Sequence, residues 1–204
     1  MNDVVLVDAG TGNLRSVQKA LESIGANVLR TDDPHKVQQG KSVVLPGVGA
    51  FGDFMSGLRA RGLESVIKEM VERGTPLLGI CVGMQALFEA GEELGSHTGL
   101  GLLAGNVTRF AESLPVKVPH TGWNQVKPQK ETFLFHGINS EAYVYFNHSY
   151  YCQARDSSVV LATTYYGIDY ASAVERENIF GVQFHPEKSQ AVGLRILKNF
   201  LEAA

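Results

Sequence analysis

The chain is poor in cysteine, and its two cysteines in 204 residues cannot build a disulfide framework. This scarcity excludes the small disulfide-rich secreted class and predicts a reducing, cytoplasmic location. A surplus of positive charge is also lacking, because 18 lysines and arginines stand against 21 aspartates and glutamates. With a formal net charge of −3, the sequence predicts no nucleic-acid partner.

Long hydrophobic runs are absent too. The longest, such as 76–81, fall far short of the roughly 20 apolar residues of a membrane helix, so no membrane partner is predicted. The start, Met1-Asn2-Asp3, is acidic, whereas a secretory signal begins with basic residues. Neither Cys-x-x-Cys nor His-x-x-x-His spacing occurs, and we predict no metal site and no cofactor.

What the chain has in excess is glycine, at 22 of 204 residues. This excess indicates many backbone positions that need positive φ or that leave no room for a side chain. One glycine-rich loop, Gly10-Thr11-Gly12-Asn13, lacks the third glycine of a dinucleotide-binding fingerprint, because residue 15 is arginine. A dinucleotide-binding interpretation of this loop is therefore rejected.

The first half of the chain alternates buried strands with helices. Apolar residues at helical spacing predict one helix after the first strand and another around 63–71. The predicted strands are Val4–Asp8, Asn27–Thr31, Ser42–Pro46 and Thr75–Cys81, and a short helix is expected from about Gly83 to Glu89. This rhythm is typical of a parallel sheet flanked by helices.

The second half predicts antiparallel strands separated by turn residues, followed by a closing helix around 196–201. The strands are expected at Val107–Phe110, Val116–His120, Tyr143–Asn147, Tyr150–Ala154, Val159–Thr164, Ser172–Glu177 and Ile179–Phe184. We therefore predict a single α/β domain over residues 1–204, with an open, mixed, mainly parallel sheet, flanking helices and antiparallel additions.

The sharpest local feature is Gly79-Ile-Cys81-Val-Gly83-Met-Gln85, between a buried strand and a short helix. Such a junction is a nucleophile elbow, whose central residue is held on a sharp turn above the strand ends. A cysteine just before a helix N-terminus is favoured as a thiolate. A lone cysteine is more often a small buried hydrophobe, as we expect for Cys152, but this pattern predicts that Cys81 is a nucleophile.

A cysteine nucleophile needs a base, and His185 follows an apolar strand in the motif His185-Pro-Glu187. The proline favours extended backbone at His185, so that His185 and Glu187 would project together. Glu187 would then accept a hydrogen bond from one imidazole nitrogen and leave the other for Cys81. In isolation the motif is more often a solvated charge pair, but a strand end of an α/β sheet is where ligands bind.

A third feature is the glycine-rich loop that begins at Pro46, directly after a predicted strand. Backbone N–H groups of Gly47, Val48 and Gly49 can bind an oxyanion, and the N–H of Val82 is the natural second donor. A tight turn that needs positive φ explains these glycines equally well.

Together these residues resemble the class I glutamine amidotransferases, which use a triad of cysteine, histidine and glutamate. Further segments, at 8–16, 119–124 and 145–150, are similar to the glutaminase subunits of imidazole glycerol phosphate synthases, which belong to histidine biosynthesis. The likeness covers almost the whole chain. Ala9 departs from it, because an aromatic residue is expected there, in a loop that we place at an interface.

The resemblance implies that Cys81 attacks the side-chain amide of L-glutamine, that His185 transfers the proton and that Glu187 orients His185. A γ-glutamyl thioester forms, ammonia leaves and water releases glutamate. The implied oxyanion hole comprises Gly47, Val48, Gly49 and Val82, and the implied glutamine-binding residues are Gly49, Gln85, Glu93, His148, Ser149 and Tyr150. For Glu93, a solvated helix end is almost as good an explanation.

The resemblance also implies a heterodimer with a (β/α)₈-barrel cyclase subunit, which receives the ammonia and makes imidazole glycerol phosphate and aminoimidazole carboxamide ribotide. The expected docking residues are Asn13, Trp123, Asn124 and Tyr145, although core packing explains Tyr145 equally well. A peptide of the Gly47-Val48-Gly49 segment that points its carbonyl at the site would keep the isolated chain nearly inactive until the partner binds.

Three other interpretations stay open. The chain could serve a different synthase with the same chemistry, which the co-purifying partner would reveal. A thiol peptidase or chaperone-like hydrolase on a similar fold is disfavoured by Gln85 and by the adjacent His185 and Glu187. A non-catalytic binding module is disfavoured by the complete set of Cys81, His185 and Glu187.

Overall fold

The computed structural model describes residues 3–203, so that the predicted chain start at Met1 and Asn2 and the last residue lie outside the described residues. In chain order the strands are β1 (Asp3–Val7), β2 (Asn27–Thr31), β3 (Ser42–Gly47), β4 (Leu77–Cys81), β5 (Phe88–Gly91), β6 (His97–Thr98), β7 (Leu103–Arg109), β8 (His120–Gln125), β9 (Lys127–Pro128), β10 (Tyr143–His148), β11 (Tyr150–Ala154), β12 (Val160–Tyr165), β13 (Asp169–Arg176) and β14 (Ile179–Val182). The helices are α1 (Leu14–Ser23), α2 (Pro34–Val37), α3 (Phe51–Ala60), α4 (Leu63–Glu72), α5 (Val82–Gln85) and α6 (Gln190–Glu202), and short 3₁₀ turns occur at Ser157–Val159 and Pro186–Lys188.

Five parallel strands form the centre of the molecule, in the order β2-β1-β3-β4-β14. Strands β3, β4 and β14 are buried at every position, as parallel strands with both faces covered should be. Antiparallel strands β13, β11 and β7 extend the sheet beyond β14, and β5 and β6 complete its far edge. The predicted class, a mixed sheet with a parallel centre and antiparallel additions, is confirmed.

The remaining elements pack around this sheet. Helix α1 lies beside α6, and α3 lies beside α4, each with an apolar stripe buried in the core. Strands β12 and β9 attach next to β13, whereas β8 and β10 pair with each other as a separate antiparallel ribbon. Within the described range no helix is long and apolar enough to cross a membrane.

Two predicted elements are wrong. The helix expected from Gly83 to Glu89 ends at Gln85, and Phe88 begins strand β5 instead, because Phe88–Gly91 pairs with the distant strand β7. The strand expected at Val116–His120 is a series of bends, and β8 begins only at His120. Pro119 has no N–H for a strand ladder, which is consistent with a strand that begins after it.

Candidate active site

Cys81 occupies a strained turn at the end of β4. Its φ of +56° and ψ of −112° are unusual for a residue with a side chain, and helix α5 begins at the next residue. Backbone strain of this kind persists only where the surrounding structure holds it, and it is concentrated at functional sites. The geometry is that of the predicted elbow.

The two glycines of the elbow are required by close backbone packing. A Cβ atom at Gly83 would lie 1.8 Å from the carbonyl oxygen of Leu45, and one at Gly79 would lie 2.6 Å from the oxygen of Gly83. Neither distance is possible for carbon and oxygen atoms that are not bonded to each other. The elbow therefore presses directly against strand β3, which carries the glycine-rich loop.

His185 follows β14 in extended backbone, and Pro186–Lys188 then forms a 3₁₀ turn. The Nδ1 atom of His185 lies 3.0 Å from Oε1 of Glu187, and both side chains are almost completely buried. Cys81 lies close enough to His185 to interact with its imidazole, and both residues line the same cleft. The structure therefore brings the three predicted triad residues together, in the order cysteine, histidine, glutamate.

This arrangement changes the protonation of His185. Burial opposes the charged imidazole, but hydrogen bonds and charge interactions with Cys81 and Glu187 outweigh it and raise the pKa of His185 to about 10. At neutral pH the histidine is therefore an imidazolium, and an adjacent cation favours the thiolate of a cysteine. The histidine already holds the proton that a leaving group needs.

The glycine-rich loop lies alongside the elbow, because Gly47 is the register partner of Cys81 between β3 and β4. Beyond the strand, Gly49 is exposed and has a φ of +91°, with open space around its Cα. Val48, Gly49 and Val82 all line the cleft into which Cys81 opens. The predicted oxyanion donors are therefore grouped at the nucleophile, and their role stays a prediction.

The cleft at the triad has a volume of about 410 Å³. Its lining comprises Val48, Gly49, Ala50, Cys81, Val82, Gln85, Glu93, Pro119, Asn147, His148, Ser149, Tyr150, His185 and Lys188. A larger depression of about 780 Å³ along 128–140 contains none of the predicted site residues. Among the described residues, no group of three or more histidine, cysteine, aspartate or glutamate side chains is placed to hold a metal ion.

Gln85 lines this cleft, and its side chain is buried and hydrogen-bonded. Its Nε2 donates to the carbonyl oxygen of Tyr150 at 2.9 Å and to Oε1 of Gln183 at 3.1 Å. Gln183 was not singled out from the sequence, although it lies two residues before His185. The period-two argument that paired His185 with Glu187 could have found it, because alternate residues of an extended segment point the same way.

The structure places Glu93 differently from the solvated helix end that was considered. Its carboxylate accepts a hydrogen bond from the backbone N–H of Phe51 at 2.8 Å, at the start of α3. It follows strand β5 rather than a helix, and it still lines the cleft. Lys188, a second charged lining residue, was also missed, and its ammonium lies 5.4 Å from the ring centre of Tyr145.

The proposed docking residues separate into two sets. Trp123, 46% exposed, packs edge to face against Tyr145 on one side of the β8–β10 ribbon. Asn124 follows on the other side, and its side chain donates to the carbonyl of Tyr165 and contacts His120. Asn13 is half-buried at the start of α1. Ala9 is itself buried in the loop between β1 and α1, and the interface role of that loop stays a prediction.

The comparisons with known proteins agree on one family. The family described as glutamine amidotransferase class-I matches residues 5–204. The imidazole glycerol phosphate synthase subunit HisH of Salinibacter ruber is 50% identical over 200 residues, which cover 96% of this chain and 92% of that protein. The subunit of the same name from Moorella thermoacetica is also 50% identical, over 99% of this chain and 95% of its own.

Solved structures share the fold at lower identity. A structure described as glutamine amidotransferase has a TM-score of 0.76 at 24% identity and covers 97% of both chains. The structure of PurLQS from Thermotoga maritima has a TM-score of 0.77 at 20% identity, over 99% of this chain and 98% of the other. The resemblance predicted from the sequence is confirmed.

Proposed function

Because this chain belongs to the class-I glutamine amidotransferase family, we propose that it is the glutaminase subunit of an imidazole glycerol phosphate synthase. It hydrolyses L-glutamine and passes the ammonia to a (β/α)₈-barrel cyclase subunit in the cytoplasm. The observation that carries this proposal is the strained Cys81 elbow with His185 and Glu187 hydrogen-bonded behind it. We further infer one domain, because the main sheet continues from β1 to β14.

In the first step the Cys81 thiolate attacks the side-chain amide carbon of glutamine, and a carbon–sulfur bond forms. The carbonyl π electrons move to the oxygen, where backbone N–H groups of Val82 and of the Gly47–Gly49 loop stabilise the charge. When the tetrahedral intermediate collapses, the carbon–nitrogen bond breaks and the nitrogen takes the proton from His185. Ammonia and a γ-glutamyl thioester result.

In the second step water attacks the thioester. His185, now neutral, takes a proton from that water, and the carbon–sulfur bond breaks to release glutamate and restore the thiolate. Glu187 holds Nδ1 of His185, so that Nε2 faces the reacting atoms.

The cleft around Cys81 suits glutamine in size and polarity. In this proposal Glu93 accepts from the α-amino group, and the backbone of His148, Ser149 and Tyr150 binds the α-carboxylate. The support is that all four residues line the cleft. Lys188 adds a positive charge to the same lining. Gln85, which also lines the cleft, contacts the bound glutamine, and its side chain is held by the Tyr150 carbonyl.

Substitution Cys81→Ala tests the proposal in the complex with a cyclase subunit. Synthesis from glutamine should be lost, whereas synthesis from added ammonium salts should continue, because only the ammonia source is removed. Ser158→Ala is the control, since Ser158 is exposed and lies outside the cleft lining. Glutamine-dependent synthesis that survives in Cys81→Ala would contradict the assignment.

The loop hypothesis has its own test. If a Gly47–Gly49 peptide blocks the oxyanion site in the isolated chain, glutamine hydrolysis should rise by orders of magnitude when the cyclase subunit and its nucleotide substrate are added. The open space and positive φ at Gly49 support such a rotation. Strong hydrolysis by the chain alone would count against it.

A further inference from the structure

Gln183 lies directly behind the nucleophile. It follows β14, whose last register pair joins Val182 to Ile80, so that the next residues of the two parallel strands are Gln183 and Cys81. The side chain of Gln183 is completely buried, and its Nε2 donates a hydrogen bond to Sγ of Cys81 at 3.7 Å. Within the described structure this is the amide that contacts the sulfur.

The orientation of that amide is fixed by its own partner. Oε1 of Gln183 accepts from Nε2 of Gln85 at 3.1 Å, and an amide oxygen cannot donate. The NH₂ end of Gln183 must therefore face the sulfur. Gln85 is held in turn by the carbonyl oxygen of Tyr150 at 2.9 Å. A directed chain of hydrogen bonds thus runs from the Tyr150 carbonyl through Gln85 and Gln183 to Cys81.

We propose that Gln183 is a positioning residue, which stabilises the Cys81 thiolate and fixes its direction toward the cleft. This inference rests on the proposed function, because it takes Cys81 as the nucleophile. An N–H donor stabilises a thiolate more than a neutral thiol, since a hydrogen bond to a charged acceptor is stronger. The donor is needed again when the carbon–sulfur bond of the thioester breaks and the charge returns to sulfur.

Other groups also act on this sulfur. His185 supplies the cation, with Glu187 behind it, whereas Tyr170 and Cys152 interact with Cys81 from strands β13 and β11. Tyr170 and Cys152 are deeply buried, and burial raises the pKa of each well above its usual value, so both stay neutral at neutral pH. His185 is therefore the cation beside the sulfur, and Gln183 is a neutral hydrogen-bond donor to it.

The test is the pH dependence of Cys81 alkylation by iodoacetamide, with the modified peptide identified by mass spectrometry. The substitution Gln183→Met removes the hydrogen-bond donor to Sγ of Cys81 and keeps a side chain of similar size. We expect the midpoint of the profile to rise by about one pH unit, equal to a tenfold lower rate at pH values below it. Gln183→Glu keeps the acceptor for Gln85 but brings a carboxylate to the sulfur, and the midpoint should rise further.

Ser172→Ala is the matched control. The backbone of Ser172 accepts from the N–H of Gln183 at 2.9 Å, and its buried hydroxyl has no hydrogen-bond partner in the described structure. This substitution changes the same packing region without removing the donor to sulfur, so its profile should match the wild type. In the complex, Gln183→Met should lower kcat for glutamine about tenfold with little change in KM.

Three outcomes would overturn the inference: an unchanged midpoint in folded Gln183→Met, an unchanged midpoint in Gln183→Glu, or an equal shift in Ser172→Ala. If Gln183→Met does not fold, Gln183→Glu decides. These outcomes are distinct from a failure of the proposed function. That function fails if Cys81→Ala keeps glutamine-dependent synthesis, whereas the role of Gln183 fails alone if only the alkylation profiles coincide.

Discussion

His185 is the residue that donates and accepts the proton in the proposed chemistry. It is buried, yet the neighbouring sulfur and carboxylate raise its pKa to about 10. A base of this kind is already protonated at neutral pH, so its first task is to give a proton to the leaving nitrogen, which departs as ammonia. The Oε1 atom of Glu187 holds one ring nitrogen, while its Oε2 is buried with no hydrogen-bond partner in the described structure.

We expect Glu187→Gln to lower the pKa of His185, because a neutral amide no longer stabilises the imidazolium. The kcat for glutamine should fall by about 10²–10⁴-fold, and the alkaline limb of its pH profile should move to lower pH. Glu112→Gln, at an exposed side chain, is the control and should change neither. An alkaline limb that stays in place in Glu187→Gln would contradict this role.

At the scale of the element, the elbow depends on helix α5, which packs too closely against strand β3 for a side chain at Gly83. The carbonyl of Leu45 in β3 occupies the space that a Cβ at Gly83 would need. Because backbone blocks this position, no rotamer change can relieve the contact. The same approach brings the Gly47 end of β3 to Cys81.

Substitution Gly83→Ala should therefore destabilise the chain by about 3 kcal/mol or more, since backbone must shift. Gly74→Ala is the contrast, because open space surrounds its Cα and only its φ of +84° opposes a side chain. That cost is about 1 kcal/mol. Urea unfolding of both variants measures the difference, and equal losses would show that the contact with Leu45 is not limiting.

The ribbon of β8 and β10 carries three of the four proposed docking residues, Trp123, Asn124 and Tyr145. Trp123→Ala should weaken binding of the cyclase subunit by about 30-fold or more, as the loss of a central aromatic anchor does. Phe133→Ala is matched to it, because Phe133 is also 46% exposed and lies along the depression at 128–140. Isothermal titration calorimetry with the cyclase subunit measures the affinity of both variants. An equal loss of affinity in the two variants would contradict the placement of the ribbon in the interface.

Sequence patterns predicted the elements whose signals are local. The parallel strands and α4 follow from apolar runs and helical spacing, and the elbow follows from glycines placed around Cys81. Helix α3 was not predicted, since Gly52 and Gly57 lie within it and its first N–H group is bound by the distant Glu93. Strand β5 was missed for a similar reason, because its partner β7 decides its conformation.

The site residues also divide into those with a local sequence signal and those whose contacts depend on distant parts of the chain. Cys81, His185 and Glu187 stand in recognisable motifs, and their grouping at strand ends could be predicted. Gln183 could not be assigned a partner from sequence, because its contacts with Cys81 and Gln85 depend on how β14 pairs with β4. Likewise, the hydrogen bond from the Asn124 side chain to the Tyr165 carbonyl depends on the register of the β8–β10 ribbon.

For the whole molecule, two buried histidines set the response to acid. Burial lowers the pKa of His148 to about 3 and that of His120 to about 4. Nδ1 of His148 lies 2.8 Å from the carbonyl oxygen of Tyr150, to which it can only donate, and Nε2 contacts the hydroxyl of Tyr170, which also contacts His120. These neutral rings join β8, β10 and β13 in one polar cluster.

Because the folded pKa of His148 lies below its usual value of 6.5, the unfolded chain takes up protons first as the pH falls. Stability is therefore lost between pH 6.5 and 3, and at pH 5 the loss from His148 is about 2 kcal/mol. The urea midpoint of His148→Gln should fall less between pH 7 and pH 5 than that of the wild type. In His35→Gln, a change at an exposed position, the urea midpoint should fall between pH 7 and pH 5 as much as in the wild type. An equal fall in all three proteins would contradict the role of His148.

The central claim is that Cys81 forms a covalent bond with the side-chain carbon of glutamine. A glutamine analogue with a diazoketone in place of the amide would trap that bond, and peptide mapping by mass spectrometry would locate it. We expect one adduct per chain, on Cys81, with none on Cys152 and none in Cys81→Ala. An adduct on another residue, or an unmodified Cys81 in a chain whose glutaminase activity the analogue has abolished, would contradict it.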